Sequence, residues 1–182
     1  MQSGVQRKWG LAGLAAGLLA AAGVTAQEPA CRADDVSCWY LVGGAGDPPS
    51  RIVWLARRLD VAAVAHPGAI ELVQVQESPR ASQPYAIRRL QVDCAAQAFR
   101  TEDAWLAARD GLLQRQPPSR DWISAAEARH GESAALAFAC DPDVALGRSS
   151  EHAALFVGNA WRAPDAVREF RLAFWEQDAG AP

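Results

Sequence analysis

The chain has 182 residues, of which 50% are hydrophobic and 21% are charged, a composition typical of a folded protein rather than a disordered one. This length corresponds to about one domain and excludes two large ones. The 18 basic and 21 acidic side chains give a net charge of −3, which argues against nonspecific nucleic-acid binding.

Residues 1–26 have the pattern of a cleaved export signal. Arg7 and Lys8 precede an apolar run, Trp9–Val24, and small residues up to Ala26 form a cleavage site. The run is shorter than the ~20 apolar residues that a spanning helix needs. Loss of the signal lowers the net charge to −5, because it removes two basic residues. We therefore expect an exported protein, periplasmic or secreted.

The first half of the mature chain predicts a meander of strands. Short apolar runs between turn residues are typical of strands, and they occur at Cys38–Val42, Arg51–Arg58, Ile70–Gln76 and Thr101–Ala107. Apolar residues also recur at every second position from Leu90 to Ala98, with Cys94 among them. This alternation predicts a further strand on which Cys94 faces inward.

Helical patterns dominate the second half. Ser133 suits the N-cap of a short helix that ends at Cys140, before Asp141-Pro142. Farther along, Glu151–Val157 is an apolar helical candidate, and Pro164–Gln177 has apolar residues at helical spacing. The sequence therefore predicts amphipathic helices at the C-terminus.

Four cysteines follow the signal, and an even number in an exported chain indicates two disulfides. Three pairings are open. We favour Cys31–Cys38, across a polar turn, and Cys94–Cys140, because both of these sulfurs face apolar surfaces. The residues before Cys31 lack the Leu-small-small pattern of lipoproteins, so no lipid anchor is expected. The alternative for Cys94 is a thiol nucleophile assisted by His130.

These elements predict an α+β fold. It consists of an antiparallel meander, a helix fixed to the sheet by a disulfide, and additional C-terminal amphipathic helices. We assign the sheet and the fixed helix to a domain over residues 27–143. Residues 144–182 are predicted to form a helical extension packed on the same domain.

Several short motifs carry a family resemblance. They are Cys38-Trp39-Tyr40-Leu41-Val42-Gly43, Val92-Asp93-Cys94, Phe99-Arg100, and Trp122 followed by Gly131 and Cys140. In this pattern, over about residues 38–141, the chain resembles the surface-adhesin protein E family. The resemblance implies a small antiparallel sheet with a disulfide-fixed helix. It also implies binding of host extracellular-matrix proteins, which is the function of named members, although many relatives have no known role.

The sequence contains no complete catalytic or metal-binding set. Its three histidines lie outside nucleophile motifs: His66, His130 and His152. Glu127 and His130 have the spacing of two metal ligands on one helical face, and Asp141 with Asp143 could bind a hard cation. Neither pair has the further ligands that a metal site needs. We therefore predict no catalytic residues, no metal and no cofactor.

Arginine and tryptophan are the candidates for partner binding. Arginine suits bidentate contacts with carboxylate or sulfate, and Arg57 and Arg88 each begin an arginine doublet. Adjacent strand residues point to opposite faces, so the two arginines of each doublet are expected on opposite sides of the sheet. We expect one of these sides to be exposed to solvent. Trp161 and Trp175 lie near or on the last predicted helix. Three other tryptophans are predicted in the core: Trp39, Trp54 and Trp122.

Together these features predict a noncatalytic exported binding or adhesin-like module of the bacterial envelope. Its partner is predicted to be a protein or an acidic glycan and not nucleic acid. No membrane span is predicted in the mature chain. Two alternatives stay open. One is a small periplasmic hydrolase, and the other is an accessory subunit that docks on an envelope complex through its C-terminal helix. The oligomeric state is not predicted.

Overall fold

The computed structural model describes residues 37–59, 68–77, 84–141, 144 and 154–175. All of them belong to one compact unit, residues 31–182. Some predictions concern residues outside this description: the export signal, Cys31, His66, Asp143 and His152.

Eight strands form one antiparallel sheet within the described residues. Their order in space is β6-β5-β4-β3-β2-β1-β8, and β7 also pairs with β5. The strands are β1 Cys38–Ala45, β2 Ile52–Arg58, β3 Gly68–Gln76, β4 Tyr85–Asp93, β5 Ala98–Ala107, β6 Leu113–Gln116, β7 Ile123–Ser124 and β8 Leu155–Asn159. The antiparallel sheet and the α+β class are confirmed.

Two helices are described, α1 His130–Cys140 and α2 Ala163–Phe174. Helix α1 begins three residues before the predicted N-cap, Ser133, so that prediction is wrong. Its N-cap is Arg129, and the Glu132 carboxylate accepts a hydrogen bond from the Arg129 backbone N–H at 2.9 Å. A buried carboxylate in the first turn satisfies a backbone donor and favours the helix dipole, which explains the earlier start.

Each face of the sheet has its own apolar core. On the face that α1 covers, the buried residues include Trp54, Ala56, Ile70, Leu72, Leu90, Phe99, Leu136 and Phe138. On the face that α2 covers, they include Trp39, Val53, Leu55, Val73, Val75, Ile87, Val167 and Phe170. Alternate residues of β2 and β3 enter opposite cores, because strand side chains alternate between faces. The sheet is therefore the middle of three layers.

Helix α1 makes two close contacts with β2. Its backbone approaches the Trp54 indole at Gly131, where an added Cβ would overlap the ring nitrogen. At its other end, the Arg58 guanidinium donates hydrogen bonds to the carbonyls of Phe138 at 3.2 Å and Ala139 at 3.4 Å. These carbonyls lack partners within the helix, so β2 supplies the cation that the last turn of α1 lacks.

A disulfide joins Cys94 to Cys140, the last residue of α1. The hypothesis of a Cys94 thiol nucleophile is therefore wrong. The predicted strand through Cys94 is also wrong, because β4 ends at Asp93 and a turn follows. The Asp93 carboxylate accepts a hydrogen bond from the Ala96 N–H at 3.0 Å, which stabilises a turn in place of the strand ladder. Cys38 is also disulfide-bonded, but its predicted partner, Cys31, is not described.

The C-terminal part contributes a strand as well as a helix. The predicted helix over Glu151–Val157 is wrong at its described end, because Leu155–Asn159 is strand β8, antiparallel to β1. Pairing with β8 satisfies the outer backbone groups of β1, so tertiary context overrides the local apolar pattern. The other predicted helix, Pro164–Gln177, corresponds to α2. The sheet thus includes a strand from beyond the predicted boundary at residue 143.

We predict that the Cys94→Ser/Cys140→Ser double variant loses about 2–5 kcal/mol of unfolding free energy, because the bond closes a long loop. Replacing both cysteines leaves no new thiol to mispair. Chemical denaturation measures the loss. Mass spectrometry of the unreduced digest should give a peptide pair linked through residues 94 and 140, and links between 31 and 94 or between 38 and 140 would contradict the assignment.

We predict that Gly131→Ala destabilises the fold by about 1–3 kcal/mol, because the new methyl group overlaps the buried Trp54 indole. Alanine favours a helix more than glycine does, so a lower free energy of unfolding would come from the steric contact. Gly68→Ala is the matched control, since a Cβ there meets no described residue within 4 Å. Equal urea midpoints for the two variants would contradict the close packing of α1 on β2.

Candidate functional site

The predicted partner-binding residue Arg57 lies in the core. It is 8% exposed, forms an ion pair with Glu71 at 2.7 Å, and places its guanidinium 4.9 Å from the centre of the Trp39 ring. The predicted splitting of the doublet is observed, because Arg58 reaches α1 on the opposite face. The solvated face predicted for these arginines is wrong, since helices cover both sides of β2. Arg57 therefore holds the sheet together and is not accessible to a partner.

Arg88, the second predicted arginine, is also engaged within the fold. It forms an ion pair with Glu132, the carboxylate in the first turn of α1. Arg89 points to the other face, where its guanidinium lies 5.3 Å from the centre of the Trp105 ring. Both doublets thus split as strand geometry requires. Arg88 ties α1 to β4 and offers little charge to a ligand.

The tryptophans differ in exposure. Trp161 is 77% exposed, in accord with a partner-facing position, whereas Trp175 is half-buried and packs edge-on against Phe170 at 5.1 Å. Of the tryptophans predicted in the core, Trp39 and Trp54 are buried. Trp122 is 44% exposed, so its assignment to the core is wrong. It lies just before the two-residue strand β7 and packs in neither of the two cores formed by the described residues.

The sheet has a gap at its β5 edge. Strand β6 pairs with β5 from Ala104 to Ala107, and β7 pairs with Ala98 and Phe99. Between them, residues 100–103 of β5 have no strand partner on that edge among the described residues. The register with β4 also shifts here, between Arg89 and Leu90. The segment 117–122 connects β6 to β7 past the gap.

An open cleft of about 410 Å³ lies at this gap. We call it the arginine cleft, and it is lined by Arg100, Thr101, Glu102, Arg115, Pro118 and Arg120. Two of its arginines are held in place. Arg100 donates a hydrogen bond to Gln91 at 2.6 Å and lies 5.1 Å from the centre of the Trp122 ring, and Arg115 pairs with Asp103.

The third cation of the arginine cleft is uncompensated. Arg120 is exposed and has no hydrogen-bond or ion-pair partner within the part of the chain that the structure describes. Three guanidinium groups are therefore accompanied by two carboxylates, Glu102 in the lining and Asp103 on Arg115, in a protein whose net charge is −3. Guanidinium groups bind carboxylate, sulfate and phosphate through paired N–H donors. The ligand class that suits such a lining is an anion.

The proposed metal pair is not assembled. Glu127 precedes α1 and accepts a hydrogen bond from the Ser124 hydroxyl at 2.8 Å, which lowers the pKa of its carboxyl. His130 begins the helix, so the two side chains do not share a helical face. No group of three or more metal-ligating side chains occurs among the described residues. Asp143, the partner proposed for Asp141, is not described.

The arginine cleft was not predicted from the sequence. Its three arginines are separated by up to twenty residues, and only the meeting of β5, β6 and the segment 117–122 brings them together. One signal was present. The consecutive prolines Pro117-Pro118 cannot continue a sheet ladder, so they mark the point where pairing along β5 is interrupted.

The sequence matches no family model, no curated protein and no solved structure. The resemblance to the surface-adhesin protein E family therefore stays a prediction based on the motifs. In the described ranges, neither helix has both the length and the apolar character that crossing a bilayer requires.

We predict that Arg57→Ala lowers the unfolding free energy by about 3 kcal/mol, because it leaves the buried Glu71 carboxylate without its closest cation. The matched control is Arg120→Ala in the arginine cleft, where an exposed side chain should change stability by less than about 0.5 kcal/mol. Urea denaturation of both variants measures the difference. If Arg120→Ala unfolds at the same urea concentration as Arg57→Ala, the conclusion that only Arg57 stabilises the fold would be contradicted.

Proposed function

We propose that this protein is a noncatalytic exported binding module of the bacterial envelope, and that it takes an acidic partner in the arginine cleft. The observation that carries the proposal is the convergence of Arg100, Arg115 and Arg120 on one open cleft of an acidic protein. A local excess of positive charge on such a protein attracts anionic ligands selectively.

The rigidity of the site supports binding. Arg100 is held between Gln91 and Trp122, so it loses little side-chain entropy when a ligand is bound. The ring of Trp122, near the cleft, offers an exposed apolar surface next to the charges, a combination enriched at binding sites. Adhesion to host matrix proteins, implied by the family resemblance, is one form that such binding would take.

A second candidate is supported by a separate surface. Leu172 on α2 is 52% exposed, and Trp161, just before α2, is 77% exposed. Large exposed apolar side chains are typical of protein contacts, so an accessory subunit docking through this helix is the alternative. The hydrolase alternative has a direct test, in which His130→Ala would abolish cleavage of generic ester, peptide or phosphate substrates.

The test is binding of two acidic probes, hexaglutamate and a heparin tetrasaccharide, to the purified protein. We expect the Arg115→Gln/Arg120→Gln variant to lose at least about tenfold in affinity for a bound probe, since two charge-assisted contacts disappear. Arg168→Gln, an exposed arginine on α2, is the matched control and should bind as the unmodified protein does.

Two results would overturn the proposal. One is failure of the unmodified protein to bind either probe at low salt. The other is an equal loss of binding in the Arg168→Gln control, because this would show attraction to general surface charge.

A further inference from the structure

The arginine cleft contains a hydrogen-bond acceptor as well as donors. Glu102 lines it, is exposed, and has no hydrogen-bond or ion-pair partner within the described part of the chain. An ionised carboxylate only accepts hydrogen bonds, and a guanidinium group only donates them. A ligand that satisfies both kinds of group therefore carries neutral donors next to its anionic acceptors.

The charges of the cleft are nearly balanced. Its three arginines are accompanied by two carboxylates, Glu102 in the lining and Asp103 on Arg115. One positive charge is therefore in excess. Because electrostatic attraction follows the local excess of charge, the first anion of a ligand is attracted, and further anions close to it meet no further excess. This balance favours a ligand with few, separated anions over a densely charged one.

Two of the arginines have donors available for such an anion. Arg100 donates to Gln91 through Nε, and its terminal N–H groups make no hydrogen bond with the residues that the structure describes. Arg120 has no partner among those residues either. Paired N–H donors of a guanidinium group match the two oxygens of a carboxylate.

An exposed aromatic ring lies beside these charges. The Arg100 guanidinium lies 5.1 Å from the centre of the Trp122 ring, which is nevertheless 44% exposed. The face of an aromatic ring carries partial negative charge and therefore attracts C–H groups, which carry partial positive charge. The rigid face of a sugar ring presents several such groups together. The flexible stem of an acidic amino acid presents no comparable surface.

We propose that the arginine cleft binds a carboxylated sugar, a uronic acid residue within a linear glycan. This inference rests on the proposed function and names its ligand class. The sugar carboxylate accepts hydrogen bonds from the cleft arginines, the ring hydroxyls donate to Glu102, and a face of the ring contacts Trp122. The cleft volume of about 410 Å³ is within the range of small-molecule sites.

An acidic peptide satisfies the same groups less well. Its carboxylates accept hydrogen bonds from arginine, but its donors are confined to the main-chain N–H groups, and its acidic side chains repel Glu102. Ordering those flexible side chains also costs conformational entropy. A uronic acid carries its carboxylate and its hydroxyls on one rigid ring, so these costs are smaller.

Two probes of equal charge test the choice of ligand. Tetragalacturonate carries fluorescein at its reducing end, and tetraglutamate amide carries it at the N-terminus. Each probe has four carboxylates, so general attraction to positive charge is the same for both. We expect tetragalacturonate to bind at least about tenfold more tightly, because only its rings add hydroxyl donors. Fluorescence anisotropy at low salt measures both affinities.

The Glu102→Ala variant tests the acceptor, because the two probes should respond in opposite directions. Loss of a repelling carboxylate should leave the affinity for the peptide unchanged or raise it, which also shows that the variant is folded. The affinity for tetragalacturonate should fall by at least about threefold, since hydrogen bonds to a carboxylate are lost. The matched control is Asp47→Ala, which removes an exposed carboxylate between β1 and β2 and should change neither affinity.

The outcomes separate this inference from the proposed function. Equal affinities for the two probes, tighter binding of the peptide, or an unchanged or higher affinity of Glu102→Ala for tetragalacturonate would overturn the sugar ligand and leave an anion-binding module. If the Arg115→Gln/Arg120→Gln variant binds both probes as the unmodified protein does, the proposed function is overturned as well.

Discussion

The central constraint on this fold is that its sheet is apolar on both faces. Adjacent residues of β2, such as Val53 and Trp54, enter separate cores, so neither face can be left to solvent without exposing a large apolar surface. One helix on each side meets this requirement. The contact of Gly131 with Trp54 and the bond between Cys94 and Cys140 follow from the need to hold α1 close to one face.

The same constraint divides the arginines into two groups. Arg57 and Arg88, in the middle strands, lie beneath the helices and are paired with Glu71 and Glu132, because an unpaired charge in such a place is costly. At the β5 edge neither described helix covers the sheet, and the pairing is interrupted by a gap. Arg120 lies there with its charge uncompensated by the described residues. Position in the sheet, more than residue type, decides which of these arginines are engaged within the fold.

Edges of sheets are positions where proteins bind other chains, and they are usually protected against unwanted pairing. Here β6 and β7 protect the two ends of the β5 edge and leave a short interval between them. An interval lined by arginines suits the acidic partner that we propose for this cleft. A binding module needs specificity for its partner but no reacting groups.

The sequence by itself determined the alternating and apolar runs, and therefore most strands, the α+β class and the position of α2. Those features depend on local periodicity, which a single segment contains. The local patterns did not predict that Leu155–Asn159 is a strand, because pairing with β1 outweighed its helical pattern. They also did not predict that β4 ends before Cys94, where the Asp93 carboxylate accepts a hydrogen bond from the Ala96 N–H and stabilises a turn. The arginine cleft depended on tertiary structure alone. Arg100, Arg115 and Arg120 share no sequence period, and only the register of β5 with β6 and β7 brings them to one gap.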